Sequence, residues 1–411
     1  MQAKICYMRR LYFLLKLVCG LFSICYLPIA AAVTQSANAI QAPLSMQAQI
    51  SLLTCSPNDE AVYTLYGHTA LRVFDPETNR DFIFNYGVFD SLKPNFIYHF
   101  AKGETDYALG VTLFINYLTE YKLRGSEVCE QMLNLRPEEK ESLWQALWRN
   151  SLPENRTYRY NFFFDNCATR PVVMIENNIR GLISYAPPTA NPAFRDVINN
   201  CTREHPWVTF GCDLVLGLPT DRKMTYRETF FIPDYLKNSF DKAEIIRNGK
   251  SEPLVIQTNI LAEESRMPEA SPSPLTAPFT CFTLFFLVIL LLTYNERRRK
   301  TYYRFIDCIL FFFAGMGGCI LFFLSFISVH PSIFPNMSLL WLHPLHLIGV
   351  VLFSVKKFNL IAFWYHLINF AVIFMMCVAW IFIPQHFNVA FIPLIASLLL
   401  RSGGALLRKK G

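Results

Sequence analysis

The sequence predicts a water-soluble α+β domain of about 200 residues, followed by an all-α membrane domain of about five helices. Three observations predict it. The 411 residues are 53% hydrophobic and 17% charged, the balance of a membrane protein. Beyond the N-terminal apolar run, the candidate membrane spans are gathered after residue 278, whereas residues 45–245 alternate short β-rich runs with helical patterns. The net charge of +7 is concentrated in short tracts beside the apolar stretches, where basic residues orient membrane spans. Lys and Arg do not interleave with aromatic residues in a stripe, which excludes a nucleic-acid partner.

Residues 1–32 read as a signal peptide or signal anchor: Lys4, Arg9 and Arg10, an apolar run from Leu11 to Ile29, then Ala30-Ala31-Ala32. Cleavage is expected near Ala32 or within Ser36–Ala39. Residues 45–245 form the exported domain, with β-rich runs at Tyr63–Phe74 and Asp81–Val88 and helical patterns at Pro137–Asn150 and Pro171–Asn178. Residues 246–278 read as a linker, proline-rich from Glu263 onward. From 279 to 411 the candidate spans are Phe279–Tyr294, Phe305–Ser328, Leu339–Val355, Leu360–Ile383 and Val389–Leu400. Basic residues occupy alternate connections: Arg297–Lys300 and Arg304, then Lys356 and Lys357, then Arg401 and Arg408–Lys410. The connections 329–338 and 384–388 contain neither Lys nor Arg. This alternation predicts a cytoplasmic C-terminus, with residues 33–277 outside the cytoplasm. His343, His346 and His366 fall within spans, where a neutral imidazole bonding a neighbouring helix is the plainer reading than a functional one.

Cys55, Cys129, Cys167, Cys201 and Cys212 lie in the exported domain. In an oxidising compartment four of the five could pair, Cys201 with Cys212 first by proximity, leaving one thiol free. No CxxC pair suggests a metal, and no cofactor is implied. Cys167 stands in FFFDNCATRPVVM, behind Asp165 and Asn166, which are good helix N-caps. A helix starting there would aim its amides and positive end at the sulfur, lowering the thiol pKa and offering donors to an oxyanion. Pro171 leaves two starts open, one capped by Cys167 itself and one at Pro171. A cysteine nucleophile needs a base and a group that orients the base. The base candidates are His68, His99 and His205. Residues 63–88 read as a hairpin, and a register symmetric about 77–78 sets His68 opposite Gly87, on one face with Asn85. Asn85 then holds one imidazole nitrogen and leaves the other to Cys167; Asp81 is the rival for that third position. The bland alternative is a buried cysteine that begins a packed helix.

The runs YGHTALRVFD, FNYGVFD, PNF, GETDYALG, PENRTYRYNFFFDNCATRP, HPWVTFGCDLVLGLPTD and FIPDYL resemble the lipoprotein N-acyltransferases of Bacteroides-like bacteria, the Lnb family. The order of His68 before Cys167 is also similar to the circularly permuted, papain-like NlpC/P60 fold. The resemblance implies an inner-membrane enzyme with a periplasmic catalytic domain, Cys167 as nucleophile and His68 as base. Tyr66, Arg72, Asp165, Asn166 and Arg170 lie inside the matching runs as supporting residues. The implied reaction moves an acyl chain from a phospholipid, through a Cys167 thioester, to the N-terminal amine of a diacylated lipoprotein. Two other readings stand beside it: a thiol amidase or peptidase acting on cell-wall peptides, and a membrane-tethered binding module.

Overall fold

A computed structural model describes residues 42–186, 191–265 and 273–407. The expected signal segment, 1–32, and the basic residues 408–410 lie outside that range. The chain divides into two compact units, one formed by residues up to Ile97, Thr105–Ala190 and Thr225–Pro268, the other by Tyr98–Glu104, Asn191–Met224 and Glu269–Gly411.

The first unit is built on an antiparallel sheet. Its strands are β1 (Gln49–Cys55), β2 (His68–Asp75), β3 (Arg80–Val88), β4 (Asp106–Leu113), β5 (Val128–Leu133) and β6 (Thr157–Arg159), joined at one edge by the late strand Val255–Ala262. The order is Val255–Ala262, β5, β1, β2, β3, β4, β6. A second, three-stranded sheet pairs β7 (Leu182–Ser184), β8 (Glu244–Arg247) and β9 (Lys250–Pro253); Val255–Ala262 is therefore β10. These strands correct the expected linker at 246–278, because ladder pairing continues to Ala262 against Val128. The expected strand 63–74 also begins later, since Val62–Tyr66 is a 3-10 turn.

The helices, in chain order, are α1 (Phe96–Lys102), α2 (Phe114–Leu123), α3 (Pro137–Ser151), α4 (Thr169–Asn178), α5 (Phe194–Cys201), α6 (Pro206–Val215) and α7 (Pro233–Phe240). Alternation along the strands gives the main sheet two apolar faces. Leu52, Leu71, Val73 and Phe84 pack with Leu143, Trp144 and Leu147 of α3 and Val172 and Ile175 of α4. Leu53, Cys55, Ala70 and Ile83 pack with Tyr117 and Tyr121 of α2. Each of these side chains contributes roughly 1.5–3 kcal/mol on full burial, so both layers hold the central strands in place. α3 begins with Pro137 at its first turn and Glu139 Oε2 accepting from Arg136 N at 2.8 Å, which satisfies a donor the helix leaves open.

The second unit holds α8 (Pro278–Arg299), α9 (Arg304–Phe326), α10 (His346–Ser354), α11 (Asn359–Val378) and α12 (Phe391–Leu406). Among the described residues three helical stretches are long and apolar enough to cross a membrane: Pro278–Arg299, Arg304–Phe326 and Lys356–Val378; α12 is a shorter apolar helix. The third expected span, Leu339–Val355, is not one continuous helix. A 3-10 turn at Met337–Leu340 is followed by a break at His343-Pro344 and by the nine residues of α10. Nine residues rise about 14 Å, half the hydrocarbon thickness. His346 is held as a structural group, with Nε2 donating to Trp341 O at 3.0 Å and Nδ1 accepting from the Tyr365 hydroxyl at 2.7 Å.

Residues 191–224, expected in the exported domain, belong to this second unit. Gly217 N donates to Ser332 O at 2.9 Å, Leu218 N to Pro335 O at 2.8 Å, and Asn388 Nδ2 to Asp213 Oδ2 at 2.8 Å. A Cβ at Gly217 would fall 2.1 Å from Ile333 O, so only glycine permits that approach. Buried Arg195 ties the segment together through Asp213 and Asp221. Arg401, read from sequence as a tail charge, instead lies buried in α12 and bonds Glu296 of α8 and Asp307 of α9, both at 2.5 Å.

Candidate active site

The β2–β3 ladder pairs Leu71 with Phe84, Val73 with Phe82 and Asp75 with Arg80. That register is symmetric about 77–78, as expected, and carried onward it sets His68 opposite Gly87. His68 and Asn85 therefore share the face covered by α2. His68 Nε2 donates to Asn85 Oδ1 at 2.6 Å, and the Tyr121 ring of α2 stacks on the imidazole at 6.1 Å and 13°.

Asn166 explains why Cys167 arrives at the same place. Its side chain is buried and its Oδ1 accepts from Ala168 N and Thr169 N, each at 2.9 Å. Its Nδ2 donates to Phe162 O and Phe231 O, both at 2.8 Å. Asn166 thus caps α4 and moors the preceding loop. The helix starts at Thr169 and holds Pro171 in its first turn, close to the first of the two starts, with Cys167 immediately outside it.

Gly87 is the meeting point. A Cβ placed on it would lie 3.5 Å from Cys167 Cβ and 3.9 Å from His68 Cε1. Gly87 has φ +98° and sits at a bulge: Tyr86 pairs with Leu109 and Val88 with Ala108, skipping Gly87. A bulge inserts an unpaired residue and bends the strand, and glycine accepts the positive φ. Cys167 Cβ therefore packs where β3 carries no side chain. An isolated glycine in a strand pattern is a bulge signal, so this feature was available from sequence; the stack of Tyr121 on His68 had no local signal.

The electrostatics of the resting site correct one expectation. Burial pushes the Cys167 thiol up to about 11, although the backbone amides of Thr69, Cys167 and Ala168 pull the other way by hydrogen bonding to sulfur. Burial likewise pushes His68 down to about 4, against the bond from Asn85 and with the nearby Arg124 charge. Desolvation outweighs the helix end, so the site rests as neutral thiol and neutral imidazole.

The other residues singled out from sequence take supporting places. Asp81 bonds Arg72 through both oxygens at 2.8 Å, and Arg72 also bonds Glu130 at 2.9 Å, so the rival third residue is engaged away from His68. Asp165 and Arg170 form a two-pronged pair at 2.6 and 2.7 Å, with the guanidinium 3.5 Å from the Tyr158 ring centre. Tyr66 packs edge-on against Phe162. His99 and His205 fall in the second unit. Cys55 and Cys129 are reduced, contrary to the expected pairing of four cysteines. Cys55 pairs with Val128 across the ladder while Cys129 pairs with Thr54, so their side chains leave opposite faces of the sheet.

Residues 40–200 match the family model described as the Lnb N-terminal periplasmic domain, and residues 269–410 match the Lnb transmembrane domain. The chain belongs to the Lnb family. It is a membrane protein with a periplasmic α+β domain followed by a helical membrane domain. Searches of curated proteins and of solved structures returned no match. In this Lnb chain the first match contains the whole Cys167–His68–Asn85 cluster. Among the described residues no group of three or more His, Cys, Asp or Glu side chains could hold a metal ion.

Proposed function

We propose that this Lnb-family chain is a lipoprotein N-acyltransferase in which Cys167 is the nucleophile, His68 the base and Asn85 the orienting residue. The observation that carries the reading is the convergence of Cys167 and the Asn85-held imidazole on Gly87. A strand histidine, a polar partner on the next strand and a cysteine at a later helix start also fit a permuted papain-like core.

In the first half-reaction Sγ attacks the ester carbonyl of a phospholipid while His68 takes the thiol proton. The carbon–oxygen bond breaks, the proton passes to the departing alkoxide, and a lysophospholipid leaves. The amides of Thr69 and Ala168, already bonding sulfur at rest, lie where they could receive the developing oxyanion. In the second half the lipoprotein's terminal amine attacks the thioester, His68 accepts its proton and returns one to sulfur, and a stable amide results. Both substrates are lipid-anchored, so a membrane-tethered site meets them at high effective concentration. Burial of sulfur favours transfer over the rival peptide hydrolysis, which requires water at the thioester.

The orientation of the membrane domain has its own support. The connections 329–338 and 384–390 bond residues 98–104 and 191–224, which precede the spans and are expected from sequence to lie outside the cytoplasm. This arrangement supports a cytoplasmic location for the basic connections and the C-terminus. The deciding experiment is intact mass after exposure to phospholipid vesicles without acceptor. The peptide holding Cys167 should gain one acyl mass, and Cys167→Ala and His68→Ala strains should retain diacylated lipoproteins. Full N-acylation in either strain refutes the assignment, whereas release of wall-peptide fragments without acyl transfer favours the hydrolase.

A further inference from the structure

Helix α1 (FIYHFAK) buries none of its residues, and from Tyr98 onward it belongs to the second unit. Ile97, Tyr98 and Phe100 are 53%, 50% and 48% exposed. At 3.6 residues per turn, Phe100, Ile97 and Tyr98 cover an arc of about 160°. His99 lies outside that arc, and Lys102 at its edge pairs with Glu104 at 2.7 Å. An exposed aromatic and aliphatic arc of this kind needs an apolar partner.

The place of α1 says which partner. Val329 N donates to Lys102 O at 2.8 Å and His330 Nε2 donates to Phe100 O at 2.7 Å. Tyr98 also lies beside Phe323 of α9, ring centres 6.1 Å apart. Gly103, at φ +78°, turns the chain so closely that a Cβ would fall 2.9 Å from His330 N. α1 is thus fastened to the end of a membrane-spanning helix. At the end of α9 and just after it, Phe326, Ile327 and Val329 are exposed apolar residues as well.

We propose that α1 lies in the plane of the periplasmic leaflet, with Phe100, Ile97 and Tyr98 among the acyl chains and Lys102 at headgroup level. Short helices of mixed aromatic and aliphatic character with a basic flank bind this boundary. β3, which carries Asn85 and Gly87, is followed in the chain by residues 89–95 and then by this helix. The inference rests on α1 and α9 and is independent of the proposed reaction.

The test uses the full chain reconstituted in phosphatidylethanolamine–phosphatidylglycerol vesicles. A photoreactive p-benzoylphenylalanine replaces Ile97, and in a second variant Phe100, where an aromatic ring already stands. Leu182, exposed on β7 of the first unit, serves as the control. Irradiation should give phospholipid adducts by mass at positions 97 and 100, several-fold above position 182, whether or not the enzyme turns over. Adduct yields equal to the control at both positions overturn the proposal, and so do cross-links to a second copy of the chain in place of lipid.

Discussion

Replacing Asn85 with alanine separates an orienting role from mere proximity. His68 Nε2–H donates to Asn85 Oδ1 at 2.6 Å, leaving Nδ1 to take the thiol proton. At rest the imidazole is neutral, and a neutral hydrogen bond contributes only about 0.5–1.5 kcal/mol. When His68 becomes imidazolium during attack, the same bond has a charged donor and contributes about 1.5–3 kcal/mol. Only the difference, about 1–1.5 kcal/mol, is lost from the transition state relative to the resting site, and at 1.36 kcal/mol per decade it amounts to roughly a 5- to 13-fold fall in rate. Single-turnover acylation of Cys167, followed by intact mass against phospholipid vesicles, reads this directly. Thermal unfolding should move little, because the strand packing is untouched. Asp81→Asn supplies the contrast: it weakens the Arg72 pair and should lower stability while leaving the acylation rate near that of the native chain. Acylation within roughly threefold of the native rate in Asn85→Ala, with His68→Ala inactive, refutes the orienting role.

Because burial pushes the Cys167 thiol up to about 11, its thiolate fraction should rise tenfold per pH unit below that value. Iodoacetamide labelling of the resting enzyme should therefore climb from neutral pH to about pH 10 without a plateau. His68, pushed down to about 4, does not titrate in that window, and a plateau near neutrality would mean a preformed ion pair. Gly87→Ala places a methyl 3.5 Å from Cys167 Cβ at φ +98°; the backbone strain should cost about 1–3 kcal/mol in thermal unfolding and slow acylation further. Arg401→Leu leaves Glu296 and Asp307 buried without their partner, which should cost about 3–5 kcal/mol. Its detergent melting temperature should fall sharply, and the double change of Glu296→Gln with Asp307→Asn should restore much of it.

The parts of this structure written in local sequence were the ones that local physics decides. The hairpin register followed from alternation about one turn, and with it came the pairing of His68 with Asn85. The helical pattern read at Pro137–Asn150 is α3. The membrane helices α8, α9 and α11 followed from apolar length. What escaped was decided by partners distant in the chain. Residues 191–224 read as part of a soluble domain because Arg195, Asp213 and Asp221 are polar; in the fold Arg195 and Asp213 are buried, Arg195 pairs with both carboxylates, and Asp213 also accepts from Asn388, more than a hundred residues away. Arg401 looked like an orientation signal because its partners, Glu296 and Asp307, lie on other helices. The strand β10 escaped because it is an edge strand, half exposed along its length, so alternation of apolar and polar residues there is weak. The raised thiol pKa was missed for a related reason. A helix start is visible in sequence, but the burial that overrides it comes from β3, α2 and the aromatic residues around Tyr160.

That override bears on the chemistry. A cysteine enzyme that cuts peptides gains from a thiolate–imidazolium pair ready at rest, since water must later enter to complete turnover. A transferase faces the opposite demand, because water reaching its thioester destroys the acyl group before the amine arrives. Desolvation supplies the second property at the expense of the first: it excludes water, and by the same physics it leaves thiol and imidazole uncharged. The three amides gathered on sulfur compensate in part, being fixed dipoles that persist without solvent. In the proposed reaction the proton would then move together with attack on the ester, which would make the hold of Asn85 on His68 matter most at the moment when the imidazole acquires its charge.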